Sequence, residues 1–206
     1  ILKQAVEVLQ QDREHDRTPE HIQKTIHPQR KTKPDFINKE VEELYKYDFR
    51  ISPAILKEIL SLPRESVISD LRKVLTDSLE RYDYFKDEVK IETSTHTFPL
   101  HAMLLLTELK AEEALDEVLE ILRQDSTFLE FWFAELLTQL PAFAIEILGS
   151  RQLDKLKSYM FEEGNDTFAK SEVSVGVANI AWKFPKRKDE VVDWFEDVLN
   201  YFYENR

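Results

Sequence analysis

His101 and Glu108 lie seven positions apart, so on a helix they share one face. Joined by Glu135 from a neighbouring helix, they would form a polar pocket or a weak metal site. The alternative is a histidine that hydrogen-bonds in a half-buried helix start, beside a solvated glutamate, as lone histidines commonly do. His15, His21 and His27 recur at intervals of six. Metal ligands on one helix need intervals of three or four. With Asp12, Glu14, Asp16 and Glu20 around them, these histidines read as a solvated helix and turn. The chain has no cysteine, which excludes a disulfide framework, a cysteine zinc site, an iron–sulfur cluster and a thiol nucleophile. No G-x-S-x-G, P-loop, H-E-x-x-H or S-x-x-K pattern occurs. No catalytic residue, metal ligand or cofactor is therefore assigned.

Binding chemistry is better represented. Glu112, Glu113, Asp116, Glu117 and Glu120 make an acidic stripe at helical spacing. It serves either as a docking face for a basic partner or as an ordinary wet helix face. Phe128, Phe131, Trp132 and Phe133 exceed what one buried face accommodates, which suggests an aromatic anchor beside the acids. The expected partner-binding set is His101, Glu108, Glu113, Asp116, Glu117, Trp132 and Glu135, and the expected partner is a protein or peptide of basic character. Trp182, Phe184, Trp194, Phe195, Tyr201, Phe202 and Tyr203 crowd the C-terminal end. Any left exposed there would favour a second copy or another partner. Lys183, Lys186, Arg187 and Lys188, like the Arg30–Lys33 loop, read as solvated turns.

The net charge of −12 is unevenly placed. Residues 1–50 hold ten acids and ten bases, so the excess falls on residues 51–206. Such a domain repels a phosphate backbone, so nucleic acid is not an expected partner. No apolar run approaches the roughly 18 residues of a membrane span; the longest is Ala102–Leu106. The opening Ile1–Leu2–Lys3–Gln4 has neither a charged n-region nor an initiator methionine. No signal peptide is expected there, residues are expected to have been trimmed before it, and the expected location is the cytoplasm.

The elements that must position these residues are helices. Only three glycines occur, Gly149, Gly164 and Gly176, which disfavours hairpins and phosphate-cradling loops. Pro19, Pro53, Pro63, Pro99, Pro141 and Pro185 each stand where a helical pattern begins, and Thr18 and Ser52 precede two of them as N-caps. Residues 1–11, 19–26, 35–47, 53–60 and 63–85 read as helices. Residues 86–97 lack the period and include an alternating stretch, Glu88–Glu92, that suits a short extended piece. From Phe98 helices follow with almost no linker: 98–109, 111–123, 126–139, 141–148, 152–162, 166–184 and 186–203.

A weak internal repeat links these helices. A shift of 76 residues places Ala102 on Ala178, Leu104 on Ile180, Leu115 on Val191, Val118 on Trp194 and Leu122 on Val198. Half that shift is close to the roughly 40-residue HEAT period. The middle copy, residues 126–163, aligns poorly residue by residue.

Residues 97–114, from Thr97–Phe98–Pro99–Leu100–His101 to Glu113–Ala114, resemble the signature of an uncharacterised bacterial HEAT-like family of conserved proteins of unknown function. Residues 131–141, Phe131–Trp132–Phe133 to Leu140–Pro141, resemble its next element, with Ala134–Glu135 where the family has Gly-Asp. Asp189–Leu199 resembles its last helix. Some members carry a C-terminal zinc-binding SEC-C motif, which the absence of cysteine rules out within this sequence. The resemblance covers about Ile51–Tyr203 and implies an all-α, right-handed stack of antiparallel helical pairs, a HEAT-like α-solenoid, over residues 51–206. Residues 1–50 form an N-terminal helical extension. The expected function is a non-catalytic interaction module; the alternative is an enzyme or metal-binding protein with a polar groove site on the same scaffold.

Overall fold

Pro53 opens a helix because its missing N–H falls where no intrahelical partner exists, and the Ser52 hydroxyl accepts the Ala54 N–H at 3.2 Å. A first-turn proline or a side-chain cap likewise starts the helices at Phe98, Ser126, Leu140 and Thr167 in this computed structural model, which describes residues 29–30, 32–87, 97–134 and 139–205. Among them every regular element is helical. The α-helices are α1 (Pro53–Leu60), α2 (Arg64–Glu80), α3 (Tyr82–Asp87), α4 (Phe98–Glu108), α5 (Leu115–Leu122), α6 (Ser126–Phe133), α7 (Leu140–Leu148), α8 (Leu153–Phe161), α9 (Thr167–Lys183) and α10 (Lys188–Glu204). Short 3₁₀ turns occupy Lys39–Tyr45, Glu112–Ala114 and Pro185–Arg187. The all-α expectation is met. The expected helices at 1–11 and 19–26, and the extended stretch Glu88–Glu92, lie outside the described residues.

The helices fall into two rows. Helices α4, α7 and α9 contact one another in turn, and α2 packs on both α4 and α5. Helices α5, α8 and α10 are tied by side chains that reach back to carbonyls about 40 residues earlier. Gln152 Nε2 donates to the Glu112 carbonyl, Tyr159 Oη to the Leu122 carbonyl, Trp194 Nε1 to the Leu153 carbonyl and Tyr201 Oη to the Phe161 carbonyl, at separations of 40, 37, 41 and 40 residues. N-terminal ends meet N-terminal ends and C-terminal ends meet C-terminal ends, so these three helices run parallel. Leu115, Leu153 and Val191 are equivalent and all buried, as are Val118, Leu156 and Trp194.

The α7–α9 contact is the closest. Gly176 lies against α7 so tightly that an added Cβ would fall 2.6 Å from Ile145 Cγ2 and 2.8 Å from the Ala142 carbonyl oxygen. Only a residue without a side chain allows that approach.

Two expected elements differ. The pattern over 63–85 reads as one helix, but it breaks at Arg81, whose backbone turns α3 away from α2. The pattern over 35–47 closes as a 3₁₀ turn held by side chains of α2 rather than as an independent α-helix. Its Val41 and Leu44 are wholly buried in the core shared with the other helices.

Candidate functional site

The sequence-selected residues separate in the structure. His101 sits in the first turn of α4 and is 4% exposed. Burial lowers its pKa, with the nearby Asp48 carboxylate opposing, so neutral imidazole is favoured. Its Nδ1 finds no hydrogen-bond partner. Glu108 is exposed at the other end of α4; seven residues of helix at about 1.5 Å rise separate the two by roughly 10 Å. They do not converge on a pocket. Glu135 lies outside the described residues, as do His15, His21 and His27. No group of three metal-ligating side chains is assembled among the described residues.

Trp132 is 3% exposed, which corrects its reading as a surface anchor. The aromatic surplus of α6 is taken up by neighbours the sequence pattern did not place beside it. Tyr82 packs against Phe128 and Phe131, while Phe85 and Phe98 pack at 5.4 and 5.0 Å from the Trp132 ring. The helix break at Arg81 supplies Tyr82 and Phe85 to this cluster, giving α6 two buried sides instead of one.

Each acid of the stripe meets a base of this chain. Glu112 lies 3.5 Å from Arg151, Glu113 3.9 Å from Arg64, Asp116 2.8 Å from Lys155, Glu117 2.7 Å from Arg72 and Glu120 3.1 Å from Arg123. Arg64 and Arg72 come from α2 on one side, Arg151 and Lys155 from α8 and the turn before it on the other, and Arg123 from the end of α5 itself. The stripe is thus a seam between helices, largely neutralised from within.

Polar groups that the sequence reading passed over carry the buried electrostatics. Asp70 and Asp77 interrupt the apolar stripe of α2 and are buried. Asp70 accepts the N–H groups of Ile37 and Asn38 at 3.0 and 2.7 Å, and Lys73 Nζ lies 3.0 Å away. Burial raises its pKa, but these donors outweigh burial and hold it below the usual aspartate value. Asp77 takes a bidentate pair from Arg81 at 2.7 and 2.5 Å and the Tyr45 hydroxyl at 2.9 Å. On α9, buried Glu172 accepts the Ala142 N–H at the start of α7; burial nevertheless raises its pKa. Two charged side chains seven apart within an apolar stripe were the available signal for Asp70 and Asp77; Glu172 had none.

Two clefts open on the surface. One of about 470 Å³ runs beside α2 and is bordered by Arg30, Asp35, Arg72, Lys73, Glu80 and Glu117. Its charges pair internally, Arg30 with Glu80 at 2.9 Å and Arg72 with Glu117. The other, about 350 Å³, lies where α4, α7 and α9 end. It is bordered by Lys110, Arg151, Lys183 and Arg187 against Glu112 and Glu146, with Phe184 at its rim. Lys183 pairs with Glu146 at 2.8 Å, and Arg187 donates to the Ser150 carbonyl and to Glu190. Lys110 is exposed and makes no ion pair among the described residues. No described helix is long and apolar enough to cross a membrane. Comparison with protein-family models, curated proteins and solved structures returned no match to this chain.

Proposed function

We propose that the chain is a non-catalytic helical-repeat module of the HEAT-like kind that holds a protein or peptide partner. The observation that carries this proposal is the set of hydrogen bonds joining α5, α8 and α10 at separations of 37 to 41 residues. That interval is the length of one HEAT-like helical pair. A pair cannot bury its own face, so neighbours stack and leave extended surfaces for another chain.

The chemistry of the partner follows from which charges remain unspent. A basic peptide on the acidic stripe would have to displace Arg64, Arg72, Arg151 and Lys155, so it gains little. The cleft at the ends of α4, α7 and α9 gathers four bases; three are paired with Glu112, Glu146 and Glu190, and Lys110 makes no ion pair among the described residues. It complements an acidic peptide segment, with Phe184 offering apolar contact at the rim.

The test is a fluorescence-anisotropy titration with two labelled peptides, one glutamate-rich and one lysine-rich. The glutamate-rich peptide should bind, and Lys110→Glu with Arg151→Glu should weaken it by about tenfold or more. Preferential binding of the lysine-rich peptide, or indifference to the double substitution, would overturn this assignment.

A further inference from the structure

The α9–α10 pair carries exposed apolar residues on one face. At about 100° per residue, Phe168, Ser171, Val175, Ala178 and Trp182 form one stripe of α9. It lies opposite the face on which Ala169, Val173, Gly176 and Ile180 are buried toward α7. On α10, Val192, Leu199 and Tyr203 lie opposite Asp197 and Tyr201, which reach α8. Both stripes therefore turn away from α7 and α8, on the same end of the molecule. Trp182 is 89% exposed there and Leu199 66%. The spacing, alternately three and four residues on α9 and seven then four on α10, keeps each set on one helix face, as packing against another helix requires.

Charge along this pair is polarised. Lys170 Nζ, early in α9, lies 5.3 Å from the Phe202 ring, late in α10, so the two helices run antiparallel. Their connecting end, residues 183–190, holds four bases and two acids. The opposite end, residues 162–170 and 196–204, holds six acids and one base. Lys186 and Lys188 at the basic end, and Glu163 and Glu204 at the acidic end, are exposed and make no ion pair among the described residues.

We infer that this face is covered by a second copy of the chain, related by a twofold axis perpendicular to α9 and α10. Such an axis lays apolar stripe on apolar stripe. It also brings the basic end of each copy to the acidic end of the other, twice over, as an isologous contact requires. The occupant is thus chosen by complementarity with itself. The basic end shares Lys183 and Arg187 with the peptide cleft proposed above, but Lys186 and Lys188, the positions tested below, do not line that cleft.

Sedimentation equilibrium of the full chain over a wide concentration range should show a monomer–dimer equilibrium. Trp182→Glu and Leu199→Glu should each weaken it by about tenfold or more, with far-UV circular dichroism unchanged because both positions are exposed. The orientation is tested by charge reversal. A Lys186→Glu/Lys188→Glu chain and a Glu163→Lys/Glu204→Lys chain should each associate poorly alone. Mixed together they should form a heterodimer, since each reversed end then meets its complement. A wild-type chain that stays monomeric, association that ignores Trp182 and Leu199, growth beyond the dimer, or failure of the mixture to restore pairing would each overturn the inference.

Discussion

Asp70 on α2 serves Asn38, 32 residues earlier, as a cap: its Oδ2 accepts both the Asn38 backbone N–H and the Asn38 side-chain amide, at 2.7 and 2.9 Å. Asn38 itself supplies no side-chain cap to the 3₁₀ turn that follows it. The turn is therefore held in place by a tertiary contact. Asp70→Ala should leave two backbone donors without a buried acceptor, at a cost of about 1–3 kcal/mol each if water does not reach them. Urea unfolding followed by circular dichroism measures this. Because the folded-state pKa of Asp70 is depressed, its contribution is fully present above the unfolded aspartate pKa of about 4. It is lost as pH falls through the folded value. The stability gap between wild type and Asp70→Ala should narrow accordingly in acid.

Gly176→Ala should destabilise the protein by about 1–3 kcal/mol, the usual effect of forcing volume into a packed contact. In an exposed helix interior the same change would stabilise by about 0.5–1 kcal/mol. The sign is reversed here because the new Cβ meets the Ala142 carbonyl oxygen at 2.8 Å, and backbone cannot swing aside as a long side chain can. Ser171→Ala, on the exposed face of the same helix, is the control and should leave the melting temperature near that of wild type.

Glu172→Gln should alter the pH dependence of stability in the opposite sense to Asp70. Burial raises the Glu172 pKa, so its contribution is fully present below the unfolded glutamate pKa, about 4.3. It is lost as pH rises through the folded value. Glutamine keeps an acceptor for the Ala142 N–H and carries no charge. Thermal melts from pH 4 upward should show the variant gaining on wild type as pH rises. A constant difference would count against burial as the cause.

Substitutions along the acidic stripe should be graded by burial. Glu113→Gln and Asp116→Asn remove exposed pairs and should change stability by about 0–1 kcal/mol each. Glu117→Gln should cost more, because its carboxylate is less exposed and receives Arg72 at 2.7 Å from α2. Chemical denaturation of the three single variants gives the order.

The helical class was legible because proline placement, scarce glycine and a 3.6-residue period agree with one another. The register linking α5, α8 and α10 was legible only at its ends, Leu115 with Val191. The helices between differ in length, α4 having 11 residues, α7 9 and α9 17, which hides a constant period from direct alignment. Neither the burial of Trp132 nor the neutralisation of the stripe could be read from local pattern. Both depend largely on partners about 34 to 49 residues distant, such as Arg72 for Glu117 and Phe98 for Trp132. The break at Arg81 has no glycine or proline to mark it; there the side chain is captured by Asp77 and lies over the rings of Tyr45 and Phe85.

That capture gives a prediction that separates packing from charge. The Asp77 and Arg81 side chains are 1% and 7% exposed, so both charges are desolvated. Removing either one strands the other in the core. Arg81→Met should therefore cost about 3–5 kcal/mol, the range found when a buried pair is broken. It would also lose the guanidinium stacked 4.7 Å from the Phe85 ring. Asp77→Leu should be of similar size, because it leaves Arg81 charged and the Tyr45 hydroxyl without its acceptor. Combining Asp77→Leu, Arg81→Met and Tyr45→Phe removes every polar member of the cluster at once. Apolar replacements of similar volume for a whole buried network are often neutral. The triple variant should accordingly unfold at higher urea than either single variant, a non-additivity of more than about 2 kcal/mol. If the three losses simply summed, the cluster would be stabilising through its charges, and the network rather than its packing would be what holds the Lys39–Tyr45 turn against α2.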